Sequence, residues 1–376
     1  MARKRQSRRG TDFAKRRRWA FKAAGGKSDS TPDALLVTSY VDVTWLTGFT
    51  GADSYLLTNG DWAVLLTDGR YTEQAANECG DVDIHKRDGS MAKAVTAVLD
   101  QRGVKKLAIQ AEHLTVRWRD ILVEHLGANS LHPITGELRK LRAVKDQPEV
   151  AIIRRAIEVA ETSLRKLMDG GKKAFVGRTE RQVAAELDYL MRVEGAEKSS
   201  FDTIVAAGPH GSLPHYRPGD YEIQAGEPVL IDWGAKVNGY CSDLTRVVFT
   251  GRIPPKIAEL YDVVVRSQEA GMAAIRAGVA GSTPDKAARK QMAQAGLEEK
   301  YLHGLGHGIG LEIHELPVMG RQVKTRLKKG MVVTVEPGLY EPGTGGVRIE
   351  DDVLVTADGF VKLSTLPTDP AAYVIK

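Results

Sequence analysis

The segment IDWGAKVNGYCSDLTR, residues 231–246, constrains the fold more than any other stretch of this sequence. Its Asn-Gly pair at 238–239 is typical of a type I′ turn, which predicts a β-hairpin. That turn pairs Asp232 with Thr245 and leaves Asp243 diagonal to Asp232, whereas a turn centred one residue earlier places the two acids opposite. Because side chains alternate along a strand, both registers put the acids on one face.

Two carboxylates among apolar neighbours are costly unless they are paired, hydrogen-bonded or bound to a metal ion. Lys236 or Arg246 could compensate them within the hairpin. Arg246, however, has the opposite parity to Asp243 and is predicted to point to the other face of the sheet. A bound cation is therefore the better explanation for the two acids.

A second pair of acids follows the same pattern in MVVTVEPGLYEPGTGGVRIEDDVLVT, residues 331–356. Apolar strands flank a loop rich in Gly and Pro, and Glu336 ends the first strand while Glu350 lies in the second. The midpoint between them, residue 343, falls inside the loop, so a hairpin can bring the two acids together. Three neighbouring acids are alternatives by pattern alone, namely Glu341, Asp351 and Asp352.

Histidines are concentrated in two short segments. YLHGLGHGIGLEIHE contains His303, His307 and His314, and GPHGSLPHYRP contains His210 and His215. A lone histidine is usually structural, but three in an apolar, glycine-rich stretch indicate a metal or catalytic role. The glycines between them allow the backbone to approach its neighbours closely.

Four carboxylates and an imidazole form an oxygen-rich set of ligands that suits Mn²⁺, Co²⁺, Fe²⁺ or Zn²⁺. Four acids exceed what one ion requires. They suit two ions about 3.5–4 Å apart, which activate a bridging water and polarise a carbonyl. Hydrolysis is therefore the predicted class of reaction.

The pattern of strands and helices predicts two domains. Residues 11–142 alternate strands with helices, as in an α/β domain, and residues 33–51 are predicted to contain a buried strand, a second short strand and a glycine turn. In residues 143–376, helices interrupt antiparallel strands, which predicts an α+β domain. A long helix with Asp146 as its N-cap, ending at Gly170, connects the two domains.

The basic charge of the chain is local. Its net charge is +5, yet residues 1–30 carry 11 Lys/Arg and 2 Asp, so the rest of the chain has a net charge of −4. Residues 1–10 are predicted to be a disordered basic arm. The helix after it is expected to place Arg16, Arg17 and Arg18 largely on its outer face. Such a segment can bind nucleic acid or an anionic surface, but we favour a solvated arm.

No apolar run approaches the roughly 20 residues that span a bilayer. The basic N-terminus lacks the apolar region of a signal peptide. Cys79 and Cys241 lie in unrelated segments without metal-ligand spacing, and they are predicted to be reduced thiols. Together these features predict a cytoplasmic protein that does not bind membranes.

Four motifs, VLIDWGAKVNGYCSDLTR, LGHGIGLEIHE, TVEPGLY and GGVRIEDDVLVT, resemble those of the pita-bread metallopeptidases. They resemble most closely the branch of Xaa-Pro aminopeptidases and Xaa-Pro dipeptidases (prolidases). WLTGFTGADSYLLTNGDWAVLLTDGRYTEQA is similar to the creatinase-type N-terminal domain of that branch. The resemblance covers nearly all of the chain after the basic arm. It implies an α+β fold with a pita-bread catalytic domain at 143–376, preceded by a smaller α/β domain at 11–142.

The resemblance also implies a ligand set of Asp232, Asp243, His307, Glu336 and Glu350. Asp243 and Glu350 would bridge two divalent ions, with Mn²⁺ expected and Co²⁺, Zn²⁺ or Fe²⁺ as alternatives. A hydroxide that bridges the ions would attack the peptide bond. Glu336 would orient this hydroxide and take its proton.

The same resemblance assigns residues to the substrate. His215 and His314 would flank it and shuttle protons, or donate hydrogen bonds to the scissile carbonyl and the tetrahedral intermediate. His303 would line the proline pocket. Arg348 would hold the carboxylate two residues after it, or another acid. His210 departs from the family pattern, where a smaller polar residue such as Asn is expected, and this could alter the approach of the substrate.

The predicted function is hydrolysis of the Xaa-Pro bond, at the N-terminus of peptides or in dipeptides. Proline specificity and a homodimer rest on the resemblance alone. One alternative is a catalytically silent scaffold that binds nucleic acid through the basic arm, but the complete ligand set argues against it. Another is a metal-free amidinohydrolase of the creatinase type, which predicts chelator-resistant activity on creatine-like substrates.

Overall fold

The computed structural model describes residues 10–25 and 31–375. The predicted basic arm, residues 1–10, therefore lies outside the described residues except for Gly10. The chain divides into two compact units, and the boundary between them falls between Arg142 and Ala143. Each unit has a hydrophobic core of its own.

The first unit is a mixed α/β structure. Its elements in chain order are α1 Phe13–Ala24, β1 Ala34–Val37, α2 Tyr40–Thr47, β2 Tyr55–Thr58, β3 Ala63–Thr67, α3 Thr72–Glu78, β4 Asp83–Lys86, α4 Met91–Arg102, β5 Leu107–Gln110, α5 Val116–Leu126, β6 Leu131–Ile134 and α6 Glu137–Arg142. The six strands form one sheet in the order β4-β3-β2-β1-β5-β6. β1 pairs antiparallel with β2 and parallel with β5. Apolar residues of α4 and α5 pack against those of the sheet and form the core.

Residues 40–47 form α2, so the prediction of a second short strand there was wrong. The Ser39 hydroxyl accepts a hydrogen bond from the N–H of Asp42, and Gly48 ends the helix with φ 80. These are the usual caps of a helix. The β-branched residues of this stretch suggest a strand by propensity, but the caps and the packing of the helix outweigh that preference.

The arginines of α1 also differ from the prediction. Arg18 is exposed, as expected, but Arg16 and Arg17 are each only 4% exposed. Arg16 Nη1 donates to the carbonyl of Trp45 (3.1 Å), Arg17 Nη1 donates to the next carbonyl (3.0 Å), and Arg17 Nη2 pairs with Asp81 (2.5 Å). The carbonyls at the end of a helix attract cations, so this burial depends on α2, which the sequence did not predict.

The second unit has the predicted α+β composition. Its elements are α7 Gln147–Asp169, α8 Glu180–Val193, β7 Lys198–Ser199, β8 Ile204–Ala207, β9 Pro228–Trp233, β10 Ala235–Val237, β11 Tyr240–Cys241, β12 Leu244–Phe249, α9 Pro255–Ala273, α10 Ser282–Gln294, β13 Gly306–Gly308, β14 Glu315–Met319, β15 Val332–Val335, β16 Gly338–Glu341, β17 Gly345–Arg348, β18 Asp351–Val355 and β19 Phe360–Lys362. The main sheets have the strand orders β12-β9-β8 and β14-β13-β15-β18-β19. Smaller sheets have the orders β11-β10-β7 and β16-β17.

The hairpin that carries the first two acids has the register of the Asn-Gly turn, which is one of the two that the sequence left open. Asn238 has φ 47 and Gly239 has φ 82, as a type I′ turn requires. β9 pairs with β12 so that Asp232 lies opposite Thr245. Both acids of this hairpin are buried, and both face the same cavity.

Helix α7 supports this hairpin from behind. It begins with the predicted N-cap Asp146 in a capping box, and it ends before Gly170. The Tyr240 hydroxyl donates to the Glu149 carboxylate (2.6 Å), and the Trp233 indole N–H donates to a carbonyl of α7 (2.9 Å). These bonds attach both arms of the hairpin to one helix, so its position is fixed relative to the core.

The second pair of acids lies where two ladders of strand pairing meet. The β15–β18 and β16–β17 ladders are both centred on residue 343, which confirms the predicted hairpin. Glu336 and Glu350 lie in the gap between the two ladders. The backbone N–H of Glu350 donates to the carbonyl of Thr245 (3.2 Å), and this bond joins the second hairpin to the first.

Two further sequence features can be compared with the structure. Cys79 and Cys241 are both free and buried, as predicted, and burial raises the pKa of the Cys241 thiol to about 11 and that of Cys79 to about 12. Thiols with such pKa values are poor nucleophiles. Over residues 10–25 and 31–375, the helices are too short or too polar to cross a bilayer.

Candidate metal centre

The second unit contains a cavity of about 440 Å³ that brings the predicted site residues together. All nine line its wall: His215, Asp232, Asp243, His303, His307, His314, Glu336, Arg348 and Glu350. They come from both hairpins, from the glycine-rich segment around β13, and from the loop after β8. Segments that are far apart in the sequence therefore converge on one cavity.

The acids in this cavity cannot all ionise without a compensating cation. Burial raises the pKa of Asp243 well above its usual range, and the nearby Glu350 raises it further. Burial and Glu336 likewise raise the pKa of Glu350. Burial also raises the pKa of Glu336 to about 8, although Arg348 opposes this shift. A divalent cation among these groups would reverse the shifts and stabilise the carboxylates.

The unpaired ligand atoms fit such a cation. Among the described side chains, Asp232 Oδ1 and Glu350 Oε1 are buried without a hydrogen-bond partner. Ligand atoms of Asp243, His307 and Glu350 all lie within 4.8 Å of one another. His307 Nε2 is 3.5 Å from both Asp243 Oδ2 and Glu336 Oε1. That separation suits two ligands that each lie about 2.1 Å from a shared ion.

His307 has the protonation state that a ligand requires. Its Nδ1–H donates to the carbonyl of Gly308 (3.0 Å), and burial lowers its pKa to about 4. The ring is therefore neutral, and its Nε2 carries a lone pair. The flanking glycines allow this placement, because a Cβ on Gly306 would lie 2.2 Å from the carbonyl of Thr334 and one on Gly308 2.1 Å from that of Leu316.

Arg348 holds Asp232 rather than Glu350. Its Nη2 lies 2.6 Å from Asp232 Oδ2, its Nη1 donates to the Tyr340 hydroxyl (2.8 Å), and its Nε donates to Thr245 Oγ1 (3.2 Å). The Thr245 hydroxyl in turn donates to Glu350 Oε2 (2.7 Å). Each acid thus has one oxygen fixed by a neighbour, while the other oxygen is left without a partner in the described structure.

The histidines of the cavity wall differ in their exposure and in their hydrogen-bond partners. His215 and His314 are exposed on the cavity wall and have no hydrogen-bond partner in the described part of the chain, while the His314 ring lies 4.4 Å from that of His307. His303 is fixed instead. Its Nδ1–H donates to the next carbonyl (2.8 Å), and its Nε2 accepts from the Tyr340 hydroxyl (2.8 Å). Burial, with Arg348, lowers the pKa of His303 to about 4, so it lines the cavity as a neutral ring.

The three alternative acids of the second hairpin do not line the cavity. Glu341 pairs with Lys300 (2.9 Å), and Asp351 pairs with Arg246 (2.7 Å). Asp352 accepts a backbone N–H from the first hairpin (3.1 Å). Their carboxylates therefore form contacts around the site, and Glu336 and Glu350 are the acids of this hairpin that line the cavity.

Sequence reasoning missed three supporting residues. Thr245 orients Glu350, and Thr334 binds Glu336 through its hydroxyl (3.3 Å). Strand parity could have found both threonines, because each lies on the same face as a predicted ligand. Tyr340 receives a hydrogen bond from Arg348 and donates one to His303, and no local pattern pointed to this role.

His210 lies outside the cavity wall. Its Nδ1 is 2.9 Å from a carboxylate oxygen of the buried Glu180, and its ring stacks on Tyr216 at 4.6 Å between centroids. The residue thus packs against the loop that carries His215.

Buried acids with unpaired oxygens, a neutral imidazole and two open histidines in one cavity form a candidate divalent-metal centre, of a kind suited to hydrolysis. Comparison with known proteins assigns the chain to a family. Residues 151–357 match the model of metallopeptidase family M24, and residues 28–144 match that of the creatinase/prolidase N-terminal domain. The chain belongs to metallopeptidase family M24, which confirms the resemblance seen in its motifs.

Similar proteins agree with this assignment over nearly the whole chain. The sequence is 38% identical to an uncharacterized peptidase, YqhT, of Bacillus subtilis over 87% of this chain and 92% of that protein. The fold is similar to that of an Xaa-Pro dipeptidase from Bacillus anthracis, with a TM-score of 0.89, 35% identity, and 96% of this chain and 99% of that chain covered. The fold is also similar to that of an X-Pro aminopeptidase from Thermotoga maritima, with a TM-score of 0.86 and 34% identity. That match covers 92% of this chain and 97% of the other.

Proposed function

We propose that this chain is a dinuclear metal-dependent exopeptidase that hydrolyses the Xaa-Pro bond, at the N-terminus of peptides or in dipeptides. The observation that carries the proposal is the set of buried, unpaired carboxylate oxygens around the neutral His307 ring. The names of the two similar structures, an Xaa-Pro dipeptidase and an X-Pro aminopeptidase, support the choice of substrate.

Five residues would hold two divalent ions in this proposal: Asp232, Asp243, His307, Glu336 and Glu350. The mixture of carboxylates and one imidazole suits Mn²⁺, with Co²⁺, Zn²⁺ and Fe²⁺ as alternatives. When bound, the ions would activate a water for attack and polarise the scissile carbonyl.

Side chains of the protein would accept and donate the protons that hydrolysis requires. Glu336 faces His307 at 3.5 Å and is positioned to take a proton from the attacking water. His215 and His314, open to the cavity, would donate hydrogen bonds to the carbonyl oxygen or deliver a proton to the leaving proline nitrogen. His303 would contribute an apolar ring face to the proline pocket, because both of its nitrogens are already bonded.

Removing the metal tests the proposal directly. Treatment with a chelator should reduce hydrolysis of Ala-Pro to background, and added Mn²⁺ should restore it, because the acids then regain their compensating charge. Metal content and peptide turnover are measured on the same samples. Chelator-resistant activity on a creatine-like substrate would favour the amidinohydrolase instead. If the protein contains no bound metal and shows no turnover with added Mn²⁺, the silent scaffold would be favoured.

A second prediction concerns His314. Replacing His314 with alanine should lower kcat by about 10²–10⁴, which is the usual contribution of a general acid or base, and should leave the metal content unchanged. Metal analysis and steady-state kinetics measure the two effects separately. Replacement of His125, an exposed histidine of the first unit that pairs with Asp100, is the control. Loss of metal from the His314 variant would instead make that residue a ligand.

We also expect a homodimer and a cytoplasmic location, the first from the resemblance to the family and the second from the sequence. Nucleic acid is not an expected partner. The burial of Arg16 and Arg17 leaves fewer basic groups of α1 at the surface than the sequence suggests.

A further inference from the structure

We propose that a buried ion pair between Lys145 and Glu315 positions His314 for its part in the reaction. The inference rests on the proposed function and adds Lys145 to it as a positioning residue. Neither member of the pair lines the cavity, whereas His314, the residue before Glu315, does. The pair would therefore act on the reaction through His314 and not by contact with the substrate.

The His314 ring depends on its backbone for its position. It is exposed on the cavity wall, and the structure shows no hydrogen bond from it to another described residue. It ends the segment 309–314, which contains no helix or strand and connects β13 to β14. A group that transfers a proton has to lie within hydrogen-bond reach of its target. How this segment is held therefore decides whether the ring can act.

Glu315 holds the segment from the inside. Its side chain is 2% exposed, and its Oε1 accepts a hydrogen bond from the backbone N–H of Glu312 (3.3 Å). A Cβ on Gly310 would lie 2.6 Å from Glu315 Oε2, so the carboxylate packs directly against the backbone at that glycine. The backbone from Gly310 to His314 is thus folded around one carboxylate.

Lys145 provides the opposite charge. Its Nζ lies 2.9 Å from Glu315 Oε2, and its side chain is 1% exposed. The same Nζ donates to the carbonyl of Ala143 (3.4 Å), and the backbone N–H of Lys145 donates to the carbonyl of Gly330 (2.8 Å). The cation is therefore fixed just before α7, although it lies 170 residues from its partner in the sequence.

Stability alone does not explain a buried pair of this kind. The loss of hydration of the two charges offsets much of their attraction, and apolar side chains of similar volume often stabilise a fold at least as well. The pair differs from apolar packing in its geometry, because an ammonium group and a carboxylate must meet at hydrogen-bond distance. That requirement fixes Glu315, and with it the backbone of the neighbouring His314.

The beginning of the segment is attached elsewhere. The backbone N–H of Cys241 donates to the carbonyl of Gly310 (2.8 Å), and Lys236 Nζ donates to the carbonyl of Leu311 (3.1 Å). The backbone N–H of His307 donates to the Thr334 hydroxyl (3.1 Å). Loss of the pair with Lys145 should therefore displace the end of the segment and leave the predicted metal ligand in place.

The experiment is a double-mutant cycle for hydrolysis of Ala-Pro by the Mn²⁺-loaded, full-length chain. Lys145→Met should lower kcat by about 10²-fold, the effect of misplacing a reacting group by about 1 Å, and should leave the metal content unchanged. In the His314→Ala background the same substitution should change kcat by less than about twofold, because the group on which it acts is already absent. Lys145→Arg, which keeps the positive charge, should retain part of the lost kcat.

Arg142→Met is the matched control for the loss of a buried ion pair. Arg142 pairs with Asp42 in the first unit at 2.6 Å, and the two side chains are 3% and 1% exposed. Any change that this variant causes in kcat should be the same factor with and without His314. If Lys145→Met does not fold, Glu315→Gln, which keeps the size of the side chain, takes its place in the cycle and should give the same pattern.

A spectroscopic measurement does not depend on turnover. In the chain loaded with Zn²⁺, a d¹⁰ ion that does not broaden signals as Mn²⁺ does, the NMR signal of the His314 ring is identified by its absence from His314→Ala. This signal should shift or broaden in Lys145→Met. The signal of His215, which lies on a different loop, should not change.

The outcomes separate the inference from the function on which it depends. The role of Lys145 is refuted if Lys145→Met lowers kcat by the same factor in both backgrounds, if it removes the metal, or if it leaves the His314 signal unchanged. It is also refuted if His314→Ala has the kcat of the wild type. In each of these cases Xaa-Pro hydrolysis stands. If the metal-loaded wild type does not hydrolyse Ala-Pro, the proposed function itself fails.

Discussion

Replacing Asp243 with alanine is expected to abolish peptide hydrolysis and the binding of metal. Asp243 is buried, its carboxylate lies 3.5 Å from His307 Nε2, and Glu350 is close enough to raise its pKa. We place Asp243 and Glu350 between the two ions, so the loss of either removes a ligand from both. The effect should exceed the roughly 10- to 100-fold loss that follows removal of an outer-shell partner of a metal site.

The measurement combines elemental analysis of the purified variant with steady-state kinetics on Ala-Pro in the presence of added Mn²⁺. Glu350→Ala should behave in the same way as Asp243→Ala. Glu341→Gln is the matched control, because Glu341 belongs to the same hairpin but pairs with Lys300 away from the cavity. Turnover close to that of the wild type in Asp243→Ala would refute the assignment of the ligand.

Replacing Arg246 with alanine is expected to lower the free energy of unfolding of the second unit by about 3–5 kcal/mol, the usual cost of removing one partner of a buried ion pair. Arg246 and Asp351 are both 0% exposed, and their charged atoms are 2.7 Å apart. Burial alone would raise the pKa of Asp351, but Arg246 and Lys362 outweigh it and hold that pKa below its usual value. The variant would leave Asp351 with Lys362 as its remaining cation.

Urea unfolding of the metal-free protein measures this change, because bound metal would add its own stabilisation to the folded state. Arg266→Ala is the control. Arg266 forms an exposed pair with Asp262 at 2.9 Å, and such pairs contribute about 0–1 kcal/mol. If Arg246→Ala and Arg266→Ala were equally mild, the buried pair would not have the structural role that its geometry indicates.

Turn chemistry and strand parity account for most of the site that could be predicted. The Asn-Gly turn at 238–239 determines which residue lies opposite Asp232, and the midpoint at residue 343 determines how the second hairpin closes. Parity also separates Asp243 from Arg246, whose ion pair is with the Asp351 carboxylate and not with a carboxylate of the cavity. These are local rules, and they act over distances of about 15 residues in the sequence.

The parts that could not be predicted depend on contacts between distant segments. The burial of Arg16 and Arg17 requires the end of α2, which lies 29 residues away. The partner of Arg348 is Asp232, 116 residues earlier, although Glu350 is its neighbour in sequence. Propensity and periodicity do not report which distant group a side chain meets, so these choices became visible only in the folded chain.

The bonds around Thr245 have a consequence for how this site can change. Asp232, Arg348, Thr245 and Glu350 form a continuous chain with separations of 2.6, 3.2 and 2.7 Å. Because the chain crosses from one hairpin to the other, the two halves of the ligand set are thermodynamically linked. A substitution at any of its positions should therefore affect the orientation of both end carboxylates, those of Asp232 and Glu350. We therefore expect a change of metal preference at this site to involve several of these positions together.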